Sequence, residues 1–297
     1  MKFARRAVLA ATLTLAATLV LGSSLPTFAA DDNSLDAIKK RGTIKIGVKA
    51  DAPPFGYLDL KTNQPIGFDV DIARAIAKRV LGDASKVELI IVKSDNRIPL
   101  VQNGDIDLFL ATATINPDRM KQIDFSDVYY KAGQSLLVKK GSPVKSYKDL
   151  DGKTVCSLAG STPEKTIRRL VPKANVVTFE TYPDCLTGLR NGRVDAVTTD
   201  SVLLTGFENA DPGNLEVVGG TFTYEAYGAG FKLGNTSLEK AVNDTLADLK
   251  KSGEYAKIHQ TWIKKPLPAD FATWFGNSPK AAADAFAAAQ AALPVAK

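Results

Sequence analysis

The sequence predicts an α/β fold with mainly parallel sheets. Short apolar or alternating runs typical of strands are followed repeatedly by amphipathic runs typical of helices, and this order places helices against a parallel sheet. The pattern Asn-Gly, any residue, an aliphatic residue and Asp occurs at residues 103–107 and 191–195, each time between a helix and a strand. An ordinary helix-to-strand connection would also produce this pattern. Its repetition nevertheless fits two halves of similar plan.

The first part of the chain alternates between strand and helix, and turn residues separate the elements. Gly42 ends the first helix and Gly104 the third, since glycine tolerates the left-handed backbone at a helix C-terminus. The predicted elements are a helix at 35–41, a strand at 43–49, a loop with two prolines at 50–55, a helix at 69–80, a strand at 87–92, a helix from 96 to 104 and a strand at 107–111.

The second part repeats this organisation and ends in helices. Pro163 and Glu164 mark one helix start, and Asn191-Gly192 a helix end. Strands are predicted at 133–139, 153–158, 176–179, 194–200, 216–219 and 227–232, and helices from 160 and at 182–190, 201–207, 237–252 and 254–262. Residues 281–293 are alanine-rich and helix-prone, and their sequence indicates no function.

The composition is that of an ordinary globular protein. The 297 residues are 45% hydrophobic and 24% charged, enough for two domains. The net charge is +6, but Lys2, Arg5 and Arg6 lie in the first 30 residues, which contain no acid. Outside that segment the excess of positive charge is small, and no basic run is interleaved with aromatic residues. The sequence therefore predicts no nucleic-acid partner.

Residues 1–30 have the features of a signal peptide. A basic start precedes an apolar run at 7–21, and Thr27-Phe28-Ala29 provides small residues for cleavage. A membrane anchor is the weaker interpretation, because the apolar run is shorter than the ~20 residues that span a bilayer. No cysteine lies near the cleavage site, so a lipid anchor is not expected. We expect an exported, soluble, periplasmic protein.

Cys156 and Cys185 are the two cysteines of the chain. In an exported protein an even pair predicts one disulfide, and the alternative is two buried free thiols. The closed loop would stabilise the fold by roughly 3–4 kcal/mol. His259 is the single histidine and has no cluster of metal-ligand residues around it in sequence, so no metal or other cofactor is expected.

Arg119 occupies an unusual place at a predicted helix start. Asn116-Pro117-Asp118 has the order of an N-cap, a first helical residue and an acidic first turn. A cation in the first turn opposes the helix dipole, so a bound anion would explain it. The alternative is a solvated side chain that turns back towards Asp118 or Asp124.

The stretch around Arg119 resembles a known family. Thr114-Ile115, Arg119, the run IDFS at 123–126 and Tyr129-Tyr130 are similar to the periplasmic amino-acid-binding proteins of ABC importers, solute-binding protein family 3, and the resemblance extends over about residues 42–262. It implies a type II periplasmic-binding-protein fold. Lobe 1 would comprise residues 31–137 and 228–297, lobe 2 would comprise 138–227, and two strands near 134–139 and 226–231 would form the hinge.

The resemblance also implies the ligand site. Arg119 with Thr114 would hold the α-carboxylate of an amino acid, and Thr162 with Ser161 would complete its binding. Asp200 would bind the ammonium, and Phe55 would form an apolar wall. The alternatives are N-terminal capping by Ser161, Thr162 and Asp200, and a plain core role for Phe55. The full candidate set is Lys49, Phe55, Arg97, Thr112, Thr114, Arg119, Ser161, Thr162 and Asp200.

Lys49 and Arg97 bear on the ligand's side chain. The resemblance to the glutamate/aspartate-binding branch lies in residues 47–51 and 96–97, where the extra cations would face a second carboxylate. With Arg119 they would oppose Asp200 alone, and this excess of positive charge suits an acidic ligand. The alternatives are a solvated strand end for Lys49 and a surface ion pair between Arg97 and Asp95.

The expected function is capture of L-glutamate or L-aspartate between two closing lobes, for delivery to an ABC permease. A monomer is expected. Alternatives are a binding protein for another polar amino acid such as glutamine, a periplasmic dehydratase-like enzyme on the same fold, and a receptor ectodomain. The sequence contains no nucleophile–base pair, which argues against an enzyme.

Overall fold

The computed structural model describes residues 34–296. The predicted signal peptide lies outside the described residues. The helices are α1 (Ser34–Arg41), α2 (Phe68–Leu81), α3 (Arg97–Asn103), α4 (Pro117–Met120), α5 (Thr162–Leu170), α6 (Tyr182–Arg190), α7 (Ser201–Ala210), α8 (Thr236–Ser252), α9 (Glu254–Ile263), α10 (Phe271–Trp274) and α11 (Pro279–Ala292).

The strands are short and distributed along the chain between these helices. They are β1 (Ile44–Val48), β2 (Asp51–Ala52), β3 (Gly56–Leu58), β4 (Pro65–Ile66), β5 (Val87–Ile91), β6 (Leu108–Leu110), β7 (Asp124–Phe125), β8 (Tyr130–Ala132), β9 (Gln134–Lys139), β10 (Thr154–Leu158), β11 (Asn175–Phe179), β12 (Ala196–Asp200), β13 (Leu215–Val218), β14 (Glu225–Tyr227) and β15 (Gly230–Phe231).

Two five-stranded sheets organise the described part of the chain into two lobes. The first sheet has the order β5-β1-β6-β15-β7, and the second has the order β11-β10-β12-β9-β13. In each sheet four strands run in one direction and one strand, β15 in the first sheet and β9 in the second, runs antiparallel to both of its neighbours. The predicted α/β type II fold is confirmed, with sheets that are mixed.

Strand β1 is buried and closely packed within the first sheet. Ile44, Ile46 and Val48 on β1 are fully buried, and helix α2 packs its buried stripe on the same lobe. Gly47 lies where β1 meets its neighbours, since a Cβ there would stand 2.8 Å from Val92 Cγ1. A larger residue would separate the central strands from the connection after β5.

The two lobes are connected by a two-stranded ribbon, which we call the crossing ribbon. It consists of β8 and β14, paired antiparallel with Tyr130 opposite Tyr227. β8 lies between β7 of the first sheet and β9 of the second, and β14 leads from β13 back to β15. Of the two segments predicted as the hinge, 226–231 overlaps β14 of the ribbon, whereas 134–139 is strand β9 of the second sheet, just beyond β8. The lobe boundaries at 137 and 228 stay predictions.

Two stretches differ from the sequence prediction. Residues 50–55 were expected as a loop, but β2 pairs with β3 and β3 with β4 in a small sheet. The predicted strand at 227–232 is interrupted between β14 and β15. Gly228 lies at the interruption, where an added Cβ would stand 2.8 Å from Ile115 Cδ1. This close packing turns the chain from the ribbon into the first sheet.

The predicted disulfide is present. Cys156 on β10 and Cys185 on α6 are bonded, both side chains are fully buried, and their Cα atoms are 5.6 Å apart. The bond holds α6 against the second sheet. Between Ser34 and Ala296, no helix is both long and apolar enough to cross a membrane.

Removing this disulfide should lower the stability of the protein. We expect the double variant Cys156→Ala/Cys185→Ala to lose about 3 kcal/mol in the free energy of unfolding, since the bond closes a loop with a sequence separation of 29. Urea unfolding followed by circular dichroism measures the change. Reduction of the parent protein under the same conditions should reproduce it, and an unchanged unfolding midpoint in both experiments would contradict the prediction.

Candidate functional site

The predicted ligand residues gather where strands of both sheets end. Lys49 follows β1, Thr112 and Thr114 follow β6, and Asp200 ends β12. Such an edge is where ligands bind in open α/β sheets. The charged members of the set are almost entirely enclosed, with relative exposures of 1% for Lys49, 2% for Arg97, 7% for Arg119 and 4% for Asp200. The interpretations that required a solvated Lys49, Arg97 or Arg119 are therefore wrong.

Arg119 connects the two lobes. Its Nη1 donates to the carbonyl of Thr114 at 2.8 Å, and its Nη2 donates to the carbonyl of Gly160 at 3.1 Å on the second lobe. Asn116 caps α4 as predicted, accepting from the Arg119 amide at 2.9 Å. Burial lowers the pKa of Arg119 to about 9. The guanidinium remains cationic at neutral pH and is held at the cleft by both lobes.

The backbone between β6 and α4 is bent at Thr112. Its φ is 49°, in the left-handed region that β-branched residues rarely adopt. Asp69 Oδ2 accepts from the Thr112 amide at 3.2 Å, and Thr112 Oγ1 donates to the Ala111 carbonyl. The fully buried Asp69 was missed by the sequence reasoning, and burial raises its pKa to about 7. Thr112 is thus a bend that directs Thr114 into the cleft.

A cluster of hydroxyl and carboxyl groups joins Thr114 to Thr162. Their Oγ1 atoms are 3.2 Å apart, and Thr162 Oγ1 donates to Glu225 Oε2 at 2.8 Å. Thr223 Oγ1 donates to the other oxygen of Glu225 at 3.0 Å. Ser161 is the N-cap of α5, accepting from the Glu164 amide, as its capping interpretation predicted. The hydroxyl of Thr162 is directed to Glu225 instead.

Asp200 occupies the N-cap position of α7, but within the described part of the chain its side chain makes no capping hydrogen bond. Its Oδ2 accepts from the hydroxyl of Tyr227, and its buried Oδ1 has no hydrogen-bond partner among residues 34–296. Burial, followed by the nearby Glu225, raises the pKa of Asp200 to about 8. A ligand ammonium would supply both the missing donor and a compensating charge.

Lys49 and Arg97 are buried on the first lobe. Lys49 Nζ lies 3.1 Å from Asp51 Oδ1 and 5.7 Å from the centre of the Tyr182 ring on α6. Arg97 donates to the Ala111 carbonyl, while its Nε has no hydrogen-bond partner in the described residues. Burial lowers the pKa of both side chains. The Nζ of Lys49 likewise has no hydrogen-bond partner in the described residues, so a ligand contact for either side chain stays a prediction.

Phe55 lies in an aromatic cluster at the base of the cleft. Its ring meets those of Phe68, Tyr130 and Tyr227 edge to face, with centroids 4.8–5.6 Å apart. Its side chain is fully buried. The structure thus places Phe55 in the core next to the crossing ribbon, and a contact with a ligand stays a prediction.

Two buried carboxyls change the charge balance of the site. Sequence reasoning counted Asp200 alone against three cations, but Glu225 and Asp69 are also fully buried nearby. Burial raises the pKa of Glu225 as well. The sequence feature that could indicate the burial of Glu225 is its position in Glu-Ala-Tyr-Gly, directly before a strand-like run. A count of one acid against three cations therefore omits Asp69 and Glu225, whose charge depends on pH because burial raises their pKa values.

The lobes are in contact around the site. Besides Arg119 and Thr162, the amide of Tyr182 donates to Asp51 Oδ2 at 3.0 Å, and Lys93 pairs with Glu180. Gly160 comes so near the first lobe that a Cβ there would stand 2.9 Å from Asp95 Cα. This arrangement corresponds to a closed cleft.

Metal binding finds no support in the described residues. They contain no group of three or more His, Cys, Asp or Glu side chains arranged around a common point. His259 is buried away from the cleft acids, with Nδ1 2.9 Å from the Lys265 carbonyl.

Known proteins share this architecture. The sequence profile of bacterial extracellular solute-binding proteins, family 3, matches residues 44–265. An ABC transporter glutamine-binding protein of Bacillus subtilis is 44% identical over 78% of this chain and 85% of its own. A glutamate/aspartate import solute-binding protein of Salmonella typhimurium is 35% identical over 85% of this chain and 88% of its own. The solved structure of an ancestral arginine-binding protein bound to glutamine is 40% identical, covers 76% of this chain and 99% of its own, and superposes with a TM-score of 0.72.

Asp200 should make ligand-free stability depend on pH. Its folded pKa of about 8 lies above the ordinary value of 3.8, so the folded state binds more protons in that interval and stability falls as pH rises through it. Between pH 5 and pH 8, the free energy of unfolding of Asp200→Asn should fall by at least about 1 kcal/mol less than that of the parent. Urea unfolding at several pH values tests it, with exposed Asp118→Asn on α4 as control. Parallel profiles for Asp200→Asn and the parent would contradict it.

Proposed function

This chain belongs to the bacterial extracellular solute-binding proteins, family 3, and is the substrate-binding component of an ABC amino-acid importer; we propose that its ligand is L-glutamine. The ligand would be enclosed between the two lobes and presented to the permease in the closed form. Ligand contacts with both lobes would shift the hinge equilibrium towards closure. We also propose export through the N-terminal segment, with the protein acting in the periplasm.

The charge balance of the cleft carries the choice of ligand. Lys49 pairs with Asp51, Asp69 acts electrostatically on Arg97 and Asp200 on Arg119, and Glu225 adds a fourth acid. Once a ligand ammonium ionises Asp200, and at a pH above the pKa of Asp69 of about 7, the three cations are matched even when Glu225 is neutral. A zwitterion with an uncharged side chain leaves this balance intact, whereas a second ligand carboxylate would be buried without a free counter-charge, which is costly.

Each polar part of glutamine has a counterpart in the cleft. Arg119, with the hydroxyls of Thr114 and Thr162, suits the α-carboxylate, since a guanidinium matches a carboxylate in two hydrogen bonds. Asp200 Oδ1 suits the ammonium. The side-chain amide oxygen would accept from Lys49 or Arg97, which the acidic-ligand hypothesis had assigned to a carboxylate. The glutamine-binding relative at 44% identity supports this assignment.

An acidic amino acid is the second candidate ligand. Two buried cations near the expected side-chain position favour it, as does the glutamate/aspartate-binding relative at 35% identity. Catalysis has less support, because the closely similar proteins are named for binding and import. We therefore propose capture and release of an unchanged amino acid.

Calorimetric titration tests the ligand assignment. Protein refolded from denaturant, to remove copurified amino acids, should bind L-glutamine at least about tenfold more tightly than L-glutamate, L-aspartate or L-arginine, since an unmatched buried charge costs more than 1.4 kcal/mol. Arg119→Lys should lower glutamine affinity about a hundredfold, because lysine cannot make the paired contacts. Lys121→Ala, exposed at the end of α4, is the matched control.

The outcomes separate the parts of the proposal. Preferred binding of glutamate or aspartate would reject glutamine and keep the importer function. No binding of any amino acid would reject the proposed function. Recovery of a chemically altered ligand after incubation would favour the enzyme alternative.

A further inference from the structure

Glu225 stands behind the proposed carboxylate site without a close cation. It is fully buried at the start of β14, in the crossing ribbon, and within residues 34–296 no Lys, Arg or His nitrogen lies within 4.0 Å of its carboxylate. The charged groups acting on it are Arg119 from α4 and Asp200 from β12. Its direct partners are hydroxyls: Thr162 at 2.8 Å and Thr223 at 3.0 Å, together with Thr114, which also hydrogen-bonds to the carboxylate.

The hydroxyl protons around Glu225 can be counted. A threonine hydroxyl has one proton, and the proton of Thr162 is directed to Glu225. Thr114, 3.2 Å from Thr162, then uses its own proton inside the same cluster. With Glu225 ionised, both protons are committed and neither hydroxyl can donate to a ligand carboxylate. One additional proton on Glu225 would reverse the direction of the chain and free one of them.

We propose that Glu225 is a positioning residue that carries a proton in the ligand complex, so that it donates to Thr162 and directs a threonine hydroxyl proton to the ligand α-carboxylate. This inference rests on the proposed function, because it assumes an amino-acid carboxylate at Thr114 and Thr162. The proton comes from solvent, while Asp200 separately releases its own proton to bind an ammonium. The burial that raises the pKa of Glu225 acts in the same direction.

Glu225→Gln provides the test, because a glutamine amide donates permanently to Thr162. Glutamine affinity should stay within about threefold of the parent at pH 6. At higher pH the affinity of the variant relative to the parent should rise, by up to about tenfold per pH unit. The reason is that only the parent must then take up a proton when it binds the ligand. The ratio of the two dissociation constants isolates Glu225, because Asp200 and the ligand ammonium titrate in both proteins. Glu254→Gln, on the surface of α9, should follow the parent.

Infrared spectroscopy gives an independent readout. Ligand addition removes the protonated-carboxyl absorption of Asp200 in both proteins, so the parent minus Glu225→Gln difference should show a gain of one protonated carboxyl on ligand binding. A constant ratio of dissociation constants from pH 6 to pH 10, or loss of binding in Glu225→Gln at every pH, would overturn the inference while leaving the proposed function in place. Failure of every amino acid to bind the parent would overturn both.

The C-terminal segment carries a second, independent inference. Residues 276–296, which we call the C-terminal strap, lie beyond the family match that ends at residue 265. The strap begins on the first-lobe side, where Gly276 and Asn277 exchange two backbone hydrogen bonds of 2.9 Å with Val128. It then forms α11, whose 14 residues span about 21 Å.

The far end of the strap is fixed to the second lobe. Gln290 donates to Thr166 Oγ1 at 3.0 Å and accepts from Arg169 at 2.6 Å, both on α5. The Ala296 amide donates to the Leu170 carbonyl at 2.7 Å, and the Tyr147 hydroxyl donates to the Pro294 carbonyl at 3.2 Å. Leu293 and Ala296 pack against the core of that lobe. The strap therefore crosses between lobes in addition to the two ribbon strands.

We infer that the C-terminal strap is a latch that favours the closed cleft. A helix fixed at both ends cannot follow a hinge opening, so opening must break one set of contacts. The strap thereby raises the population of the closed form, and the apparent ligand affinity rises with that population. Its alanine-rich sequence suits this role, because small side chains let the helix lie flat over two surfaces.

Gln290→Ala tests the latch, and deletion of residues 278–297 tests it more severely. Both changes should weaken ligand affinity, and Gln290→Ala should weaken it by about threefold. Gln290→Ala should also increase the radius of gyration of the ligand-free protein, measured by solution scattering. Lys280→Ala, on the exposed side of α11, should match the parent. Unchanged scattering and affinity in Gln290→Ala would overturn the latch. Scattering decides the question even if the ligand is misassigned or the deletion fails to fold.

Discussion

Burial of charge is the constraint on which the closed cleft depends. Removing an ion from water costs several kcal/mol unless counter-charges or hydrogen bonds replace the water. Arg119 receives that replacement from carbonyls of both lobes, Thr114 on one side and Gly160 on the other. Two of its five N–H groups are bonded, one to each lobe, in the closed arrangement, so closure fixes the guanidinium of the proposed carboxylate site. A ligand carboxylate would add the charge that these neutral carbonyls do not supply.

The crossing ribbon contributes chemistry as well as a hinge. Glu225 and Tyr227 are two residues apart on β14, so both side chains leave the strand on the same face. One reaches Thr162 and the other reaches Asp200, and both of these targets belong to the second lobe. Rotation about the ribbon therefore moves the groups that orient the site. This placement makes the hydrogen-bond direction in the cleft sensitive to closure.

Local sequence was sufficient for the elements and insufficient for the site's charge. Strand and helix alternation, the cap at Asn116 and the disulfide follow from short-range patterns and all are found in the structure. Asp200 was ambiguous because an extended residue before a helix, with φ −71° and ψ 138°, suits a cap and a ligand group equally. Its burial and the hydrogen bond from the Tyr227 hydroxyl disfavour the cap, and the ligand role stays a prediction. Neither can be read from neighbouring residues, because Tyr227 is brought close only by the topology.

Ligand charge is the property that the linear sequence predicts least well. Cations near strand ends are easy to recognise, whereas the acids that balance them, Glu225 and Asp69, come from distant segments and resemble surface residues in sequence. The balance also depends on protons, since a buried carboxyl changes its charge at low cost compared with a buried guanidinium. If Glu225 is neutral in the complex, the remaining acids still match Lys49, Arg97 and Arg119. A neutral ligand side chain would leave this balance unchanged, and this is the physical basis of the glutamine proposal.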